Sequence, residues 1–260
     1  MKIDYINFGL LILCLCFQFN SLKAQVNTEA LRRDFRSDTL LNSLSLSYQV
    51  AQGNTEYIGL SGGYRLDAYV GKFYSFIAAS IDYKKTKENA IVDRGFAHLR
   101  LVYNISEIFA PEVFYQKEFN KFISMKDRNV LGVSIRANLH KLLDFSSENQ
   151  LELGLATGIM AENELLDFNS DSTANAIRST SYLTCHYKIN NVVEFNSVLY
   201  FQAACDNFTN YRILNDTGLR LRITSNIAFT TGINFRYNNT AHPSLKKSDI
   251  YITNGLQLFF

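Results

Sequence analysis

The segment Ile250–Phe260 reads IYITNGLQLFF and alternates two kinds of side chain. A period of two is the pattern of a β-strand. One face is wholly apolar and consists of Ile250, Ile252, Leu256, Leu258 and Phe260. Soluble proteins avoid leaving such a strand as an open edge, whereas the last strand of a bacterial outer-membrane barrel closes against the first. The segment therefore predicts a transmembrane β-barrel.

The same segment contains the features of a barrel-assembly signal. A polar residue is followed two positions later by Gly255, and apolar residues stand third from last and last, at Leu258 and Phe260. This spacing resembles the C-terminal signal by which barrel proteins are recognised for insertion. We expect the barrel-assembly machinery and outer-membrane lipid as partners, and the cell outer membrane as the location.

The start of the chain is consistent with export. Lys2 precedes an apolar run at residues 9–17, and a small-residue site follows at Ala24. This pattern predicts a secretory signal peptide at residues 1–24, too short in its apolar core to span a membrane as a helix. Residues 25–41 are then a periplasmic N-terminal extension, either a short helix or without regular structure. Lipid attachment at Cys14 or Cys16 is a weaker alternative, because a bulky Leu precedes each cysteine.

The composition favours strands and excludes some partners. The chain has 15 Tyr and 20 Phe but only two Pro and no Trp, which favours β-structure over helix or disorder. A formal net charge of +2 is too small to predict nucleic-acid binding.

Residues 42–260 divide into twelve alternating segments, the even number that a single-chain bacterial barrel requires. The alternation alone also fits a soluble two-sheet sandwich. Connection lengths favour the barrel, since short links alternate with longer ones as periplasmic turns alternate with extracellular loops. The predicted short links lie at residues 70–71, 105–107, 190–191 and 224–226, and the predicted long loops at residues 84–93, 119–129, 161–176 and 238–248. Residues 140–149 are an exception on the short side, and residues 52–55 are an exception on the long side.

The face opposite the apolar one carries charges, which a barrel would direct into its lumen. The predicted lumen-lining charges are Arg65, Asp67, Asp82, Arg100, Glu112, Arg136, Glu152, Lys188, Glu194, Arg220, Arg222 and Arg236. Twelve strands lie between the side-chain-filled barrels of eight and the open channels of sixteen. Either an ion-paired plug or a narrow pore is consistent with this set. In an open pore, Arg220, Arg222 and Arg236 would favour anions.

Part of the chain resembles a known family. The pieces are Ser45-Leu46-Ser47-Tyr48 followed by Gly53-Asn54-Thr55-Glu56, then Leu60 to Leu66, Asp82-Tyr83, and Arg94 to Tyr103. Over about Leu44 to Ala161 the sequence resembles the salt-induced outer-membrane protein family, of unknown function and typified by YdiY. The resemblance implies an outer-membrane barrel and supplies no catalytic residue, cofactor or solute.

Catalysis is the least favoured function. His98 and His186 project into the predicted lumen, whereas a barrel phospholipase needs Ser, His and Asn on its outer surface, and no nucleophile motif accompanies either histidine. The sequence predicts no metal site and no cofactor. The remaining hypotheses are a narrow solute or anion channel, a non-conducting structural or envelope-stress barrel, and, remotely, a lipid-modifying enzyme.

Overall fold

The computed structural model describes residues 39–52, 56–86, 90–143, 150–168 and 171–258. The predicted signal peptide, most of the predicted extension and Phe260 lie outside these residues. The strands in the described residues are β1 (Thr39–Ala51), β2 (Tyr57–Val70), β3 (Phe73–Thr86), β4 (Ala90–Tyr103), β5 (Phe109–Asn120), β6 (Met125–Asn138), β7 (Leu151–Asp167), β8 (Asp171–Lys188), β9 (Val193–Ala204), β10 (Tyr211–Arg222), β11 (Ile227–Asn238) and β12 (Ser248–Leu258). A 3-10 turn at Lys121–Ile123 and a short helix α1 at Leu139–Leu142 lie between strands.

The strands form one antiparallel sheet in which each strand pairs with the next along the chain. This confirms the predicted all-β class and the count of twelve. β1 begins at Thr39, inside the predicted extension. β12 contains Gly255 and Leu258 of the predicted assembly signal and pairs with β11, where Gly255 lies opposite Thr230.

The two faces of the sheet have opposite chemistry. Large apolar side chains on the outward face are open to the surroundings, and Leu46, Leu131 and Ile252 are 75%, 58% and 57% exposed. On the inward face Asp67 and Arg100 are only 0% and 2% exposed. A soluble sandwich would place its charges in water and its apolar groups inside. This inverted arrangement is that of a transmembrane barrel, whose outer surface contacts lipid.

Contacts across the interior show that the sheet curls into a barrel. Arg100 on β4 donates a hydrogen bond to Tyr200 on β9, 100 residues later, over 3.4 Å. Tyr182 on β8 donates one to Glu112 on β5 over 2.9 Å. A flat sheet could not bring strands three or five positions apart within hydrogen-bond distance, because neighbouring strands are about 4.8 Å apart.

The predicted difference in loop length is wrong for three of the four long loops. β7 runs to Asp167 and β8 begins at Asp171, so most of residues 161–176 is strand. Residues 84–93 and 119–129 are likewise mostly strand, and of these four segments only the one after Asn238 is a long connection. The connection between β6 and β7, from residue 139 to residue 150, is longer still and lies on the short side, where the sequence predicts an exception. Barrel topology therefore follows from the burial of charge and not from loop length.

β1 and β12 are the two edges of the sheet. Across the described parts of these strands, no backbone ladder joins one to the other, so the predicted closure of the last strand on the first stays a prediction. None of the helices in the described residues is long and apolar enough to cross a membrane.

Candidate functional site

All twelve predicted lumen charges lie on the inward face. Each is an even number of residues from buried positions on its own strand, and side chains separated by an even number of residues share one face. They differ in burial. The buried ones are Arg65, Asp67, Arg100, Glu112 and Arg236. The half-buried ones are Asp82, Arg136, Lys188, Glu194 and Arg220, and the exposed ones are Glu152 and Arg222.

One group of interior residues, which we call the tyrosine cluster, consists of Arg100, Glu112, Tyr182, Tyr200 and Ser134. Glu112 is its centre. Its Oε2 accepts from Arg100 Nη1 at 3.2 Å and from the Tyr182 hydroxyl at 2.9 Å. Ser134 adds a contact to the same oxygen at 3.3 Å. Hydrogen bonds to a buried charged group are among the stronger ones, so this cluster ties β4, β5, β6, β8 and β9 together.

A second buried pair lies beside the tyrosine cluster on β2. Arg65 Nη2 and Asp67 Oδ1 are 2.5 Å apart, and Arg65 Nε donates to Asp67 Oδ2 at 2.7 Å. The Tyr74 hydroxyl donates to Asp67 at 2.9 Å. The Arg65 guanidinium also lies 4.7 Å from the centroid of the Phe76 ring, within the range of a cation–π contact.

The largest buried group was not predicted. This six-charge network carries three positive and three negative side chains, which are Arg128, Arg178, Arg212, Glu118, Glu162 and Glu164. Glu162 lies at its centre and contacts all three arginines. Its distances are 2.6 Å to Arg128 Nη2, 2.9 Å to Arg178 Nε and 2.8 Å to Arg212 Nη1. Glu164 accepts from Arg212 at 2.9 Å, and Glu118 pairs with Arg128.

Half of the network was missed because residues 119–129 and 161–176, which contain Arg128, Glu162 and Glu164, are predicted as loops. A signal for strands was nevertheless present. Glu162 and Glu164 are an even number of residues after Glu152, and Arg128 is eight residues before Arg136. Continuing the period of two through these segments would have placed all of these charges on the inward face.

The three arginines that would favour anions in an open pore, Arg220, Arg222 and Arg236, are largely neutralised. Arg236 pairs with Asp216 at 2.7 Å, and Arg220 pairs with Glu194 at 3.0 Å. Glu194 is among the predicted lumen-lining charges, whereas Asp216 is not. Arg222 is exposed at the end where β10 turns into β11. The geometry thus favours ion pairing over a row of free positive charges.

The interior histidines lie in packed or polar surroundings. His98 is 2% exposed, with its ring 5.4 Å from that of Phe76 and 6.1 Å from that of Phe114. His186 Nδ1 lies within hydrogen-bond distance of Asn196 Oδ1. Within the described residues, no three side chains of His, Cys, Asp or Glu are grouped so that they could hold a metal ion.

The inward face also has positions that the buried clusters do not cover. Its residues are small or polar, and on β1 the inward side chains Ser43, Ser45 and Ser47 are exposed. On β10 and β11 the paired Gly218 and Gly232 face open space, because a Cβ built on them would meet only a carbonyl oxygen at 3.8 and 3.7 Å. We call this part the open wall.

Glycines on the filled side have a different role. A Cβ on Gly132 would lie 2.3 Å from the Phe114 ring, and one on Gly154 would lie 2.7 Å from the Arg136 guanidinium. A side chain at either position would have to displace the Phe114 ring or the Arg136 guanidinium, which cover these glycines. The interior is therefore filled along β4–β9, and its uncovered positions are the serines of β1 with Gly218 and Gly232, although Arg212 and Arg236 on β10 and β11 are buried.

Comparison with known proteins gives a family and a set of structures. Residues 44–260 match the family described as "Protein of unknown function, DUF481". No curated protein matches the sequence. The fold is similar to that of the NanC porin, with 10% identity and a TM-score of 0.48 over 85% of this chain and 99% of that one. It is also similar to the KdgM porin in complex with disordered oligogalacturonate, with 9% identity and a TM-score of 0.41 over the same shares.

Proposed function

This chain belongs to the DUF481 family, and we propose that it is an outer-membrane channel of narrow bore with little preference between anions and cations. The observation that supports the proposal is the open wall. A lumen that served only to stiffen the barrel would need no exposed polar surface opposite its filled side. Water in contact with hydroxyl groups and glycine backbone can cross where the ion-paired clusters do not reach.

The weak charge preference follows from the ion pairs. Arg220 and Arg236 each face a carboxylate within 3.0 Å, so their fields are largely cancelled at the distance of a passing ion. Arg222 remains as an exposed charge at one mouth. A single charge at a wide mouth is screened by salt within about 8–10 Å.

The lipid environment also affects the two edge strands of the sheet, β1 and β12. The bilayer core offers no hydrogen-bond partners to the free backbone groups of β1 and β12. We expect these two strands to pair once the protein is inserted. The open wall would then form one side of a closed, water-filled passage.

Planar-bilayer recording tests the proposal. The parent protein should give small current steps with a reversal potential near zero in a potassium chloride gradient. Gly232→Trp, which places an indole on the open wall, should reduce the current several-fold. Gly62→Trp is the matched control, because Gly62 contacts Leu46 and Ile81 on the outward face; its current should equal that of the parent.

The alternative is a non-conducting structural barrel, and the buried clusters favour it. Absence of current from folded, inserted parent protein would support that alternative and reject the channel. A strongly anion-selective current that Arg222→Glu reverses would support a channel but contradict its weak preference between anions and cations.

A further inference from the structure

A small, partly enclosed cavity with both polar and apolar side chains in its lining lies between the tyrosine cluster and the six-charge network. Its volume is about 30 Å³, which exceeds the roughly 10–15 Å³ that a water molecule needs. The polar residues around it include Arg100, Arg128, Gln116, Gln202, Thr180 and Tyr182. Two arginines line the cavity, and no carboxylate side chain does.

Charge and donors in the lining favour a negative occupant. Arg100 and Arg128 are 2% and 4% exposed, so water screens their fields poorly. Their carboxylate partners bind them from outside the cavity, since Glu112, Glu118 and Glu162 are absent from its lining. The lining therefore includes two arginines together with residues that carry hydroxyl and amide groups.

Gln202 gives an independent indication of an occupant. Its Oε1 is buried and makes no hydrogen bond within the described residues. A half turn of the terminal amide exchanges oxygen and nitrogen, which would direct the NH₂ group towards the cavity as a donor. Because buried polar groups are usually hydrogen-bonded, the side-chain amide of Gln202 indicates a partner inside the adjacent cavity.

We propose that this cavity binds one small monovalent anion of the size of chloride or bromide. The small volume favours an ion only somewhat larger than water. The bound anion would lie between Arg100 of the tyrosine cluster and Arg128 of the six-charge network. This site is separate from the open wall and does not depend on whether the barrel conducts.

The test compares urea unfolding of the folded barrel in sodium bromide and in sodium gluconate at equal ionic strength. An ion that binds only the folded state raises the unfolding midpoint with its concentration. The parent should unfold at a higher urea concentration in bromide. Gln202→Met, close in size but without the amide, should lose most of this shift.

Gln49→Met is the matched control. Gln49 is exposed on the inward face of β1, away from the cavity, and its substitution should leave the full bromide shift. The same shift in Gln202→Met as in the parent would overturn the proposal, as would no shift in the parent. A second measurement is independent of folding effects: crystals grown in bromide should show an anomalous peak between Arg100 and Arg128, and density for water alone there would reject the site.

Discussion

Glu162→Gln tests the interior most severely, because Glu162 is the acid that three arginines share. The six-charge network has three arginines and three glutamates and is neutral. The substitution leaves two glutamates and a net charge of +1 in a buried site. Removing one partner of a buried ion pair costs about 3–5 kcal/mol. We expect the lower end, about 3 kcal/mol, because the amide oxygen of Gln still accepts one hydrogen bond.

A loss of about 3 kcal/mol raises the unfolding equilibrium constant roughly a hundredfold. The assay is a urea titration of the barrel in lipid vesicles. Because the chain has no Trp, the folded fraction is best measured by the mobility of unheated samples on a gel. The midpoint for Glu162→Gln should lie clearly below that of the parent.

Glu194→Gln is the matched control, since it removes the same charge from an ion pair in contact with solvent. The side chain of its partner Arg220 is 42% exposed, and such pairs contribute at most about 1 kcal/mol. Adding Arg212→Gln to Glu162→Gln restores a neutral network and should cost less than the two single changes together. If Glu162→Gln costs no more than Glu194→Gln, the network does not stabilise the barrel as described.

Three further outcomes are expected. Gly158→Ala should destabilise the barrel by about 3 kcal/mol or more, because its Cβ would lie 2.1 Å from a carbonyl oxygen of the neighbouring strand, whereas Gly218→Ala should unfold at the urea midpoint of the parent. Tyr182→Phe removes a hydrogen bond to a buried carboxylate and should cost about 1.5–3 kcal/mol in the same titration; no change would mean that this bond is not formed. Phe260→Ala should lower the folded amount in outer-membrane fractions more than Leu258→Ala does, and equal losses would reject a dedicated signal at the terminal residue.

The fold was largely predictable because its signal is local. Alternation in each strand depends only on which side chain faces lipid, and that requirement holds along the whole outer face. Strand ends were less predictable, because some strands continue into segments whose outward side chains are polar. Asn163 and Asn175, for example, form a hydrogen-bonded pair on facing strands where the sequence suggested a loop.

The interior was predictable in its residue types and not in its contacts. Arg100 and Glu112 were assigned to the lumen from alternation alone. Their shared contact with Tyr182 joins strands 70 residues apart in sequence, and it depends on how tightly the sheet curls. Curvature arises from the sizes of all inward side chains together, including the glycines that make room for large rings. No short stretch of sequence specifies it.

We expect this chain to be a folded barrel in the outer membrane with its charges inside. Outer-membrane fractionation followed by gel electrophoresis of heated and unheated samples tests it most directly. The protein should be found in the outer-membrane fraction, and its unheated band should migrate differently from the heated one. Release with the soluble periplasmic proteins, with one mobility before and after heating, would contradict the account.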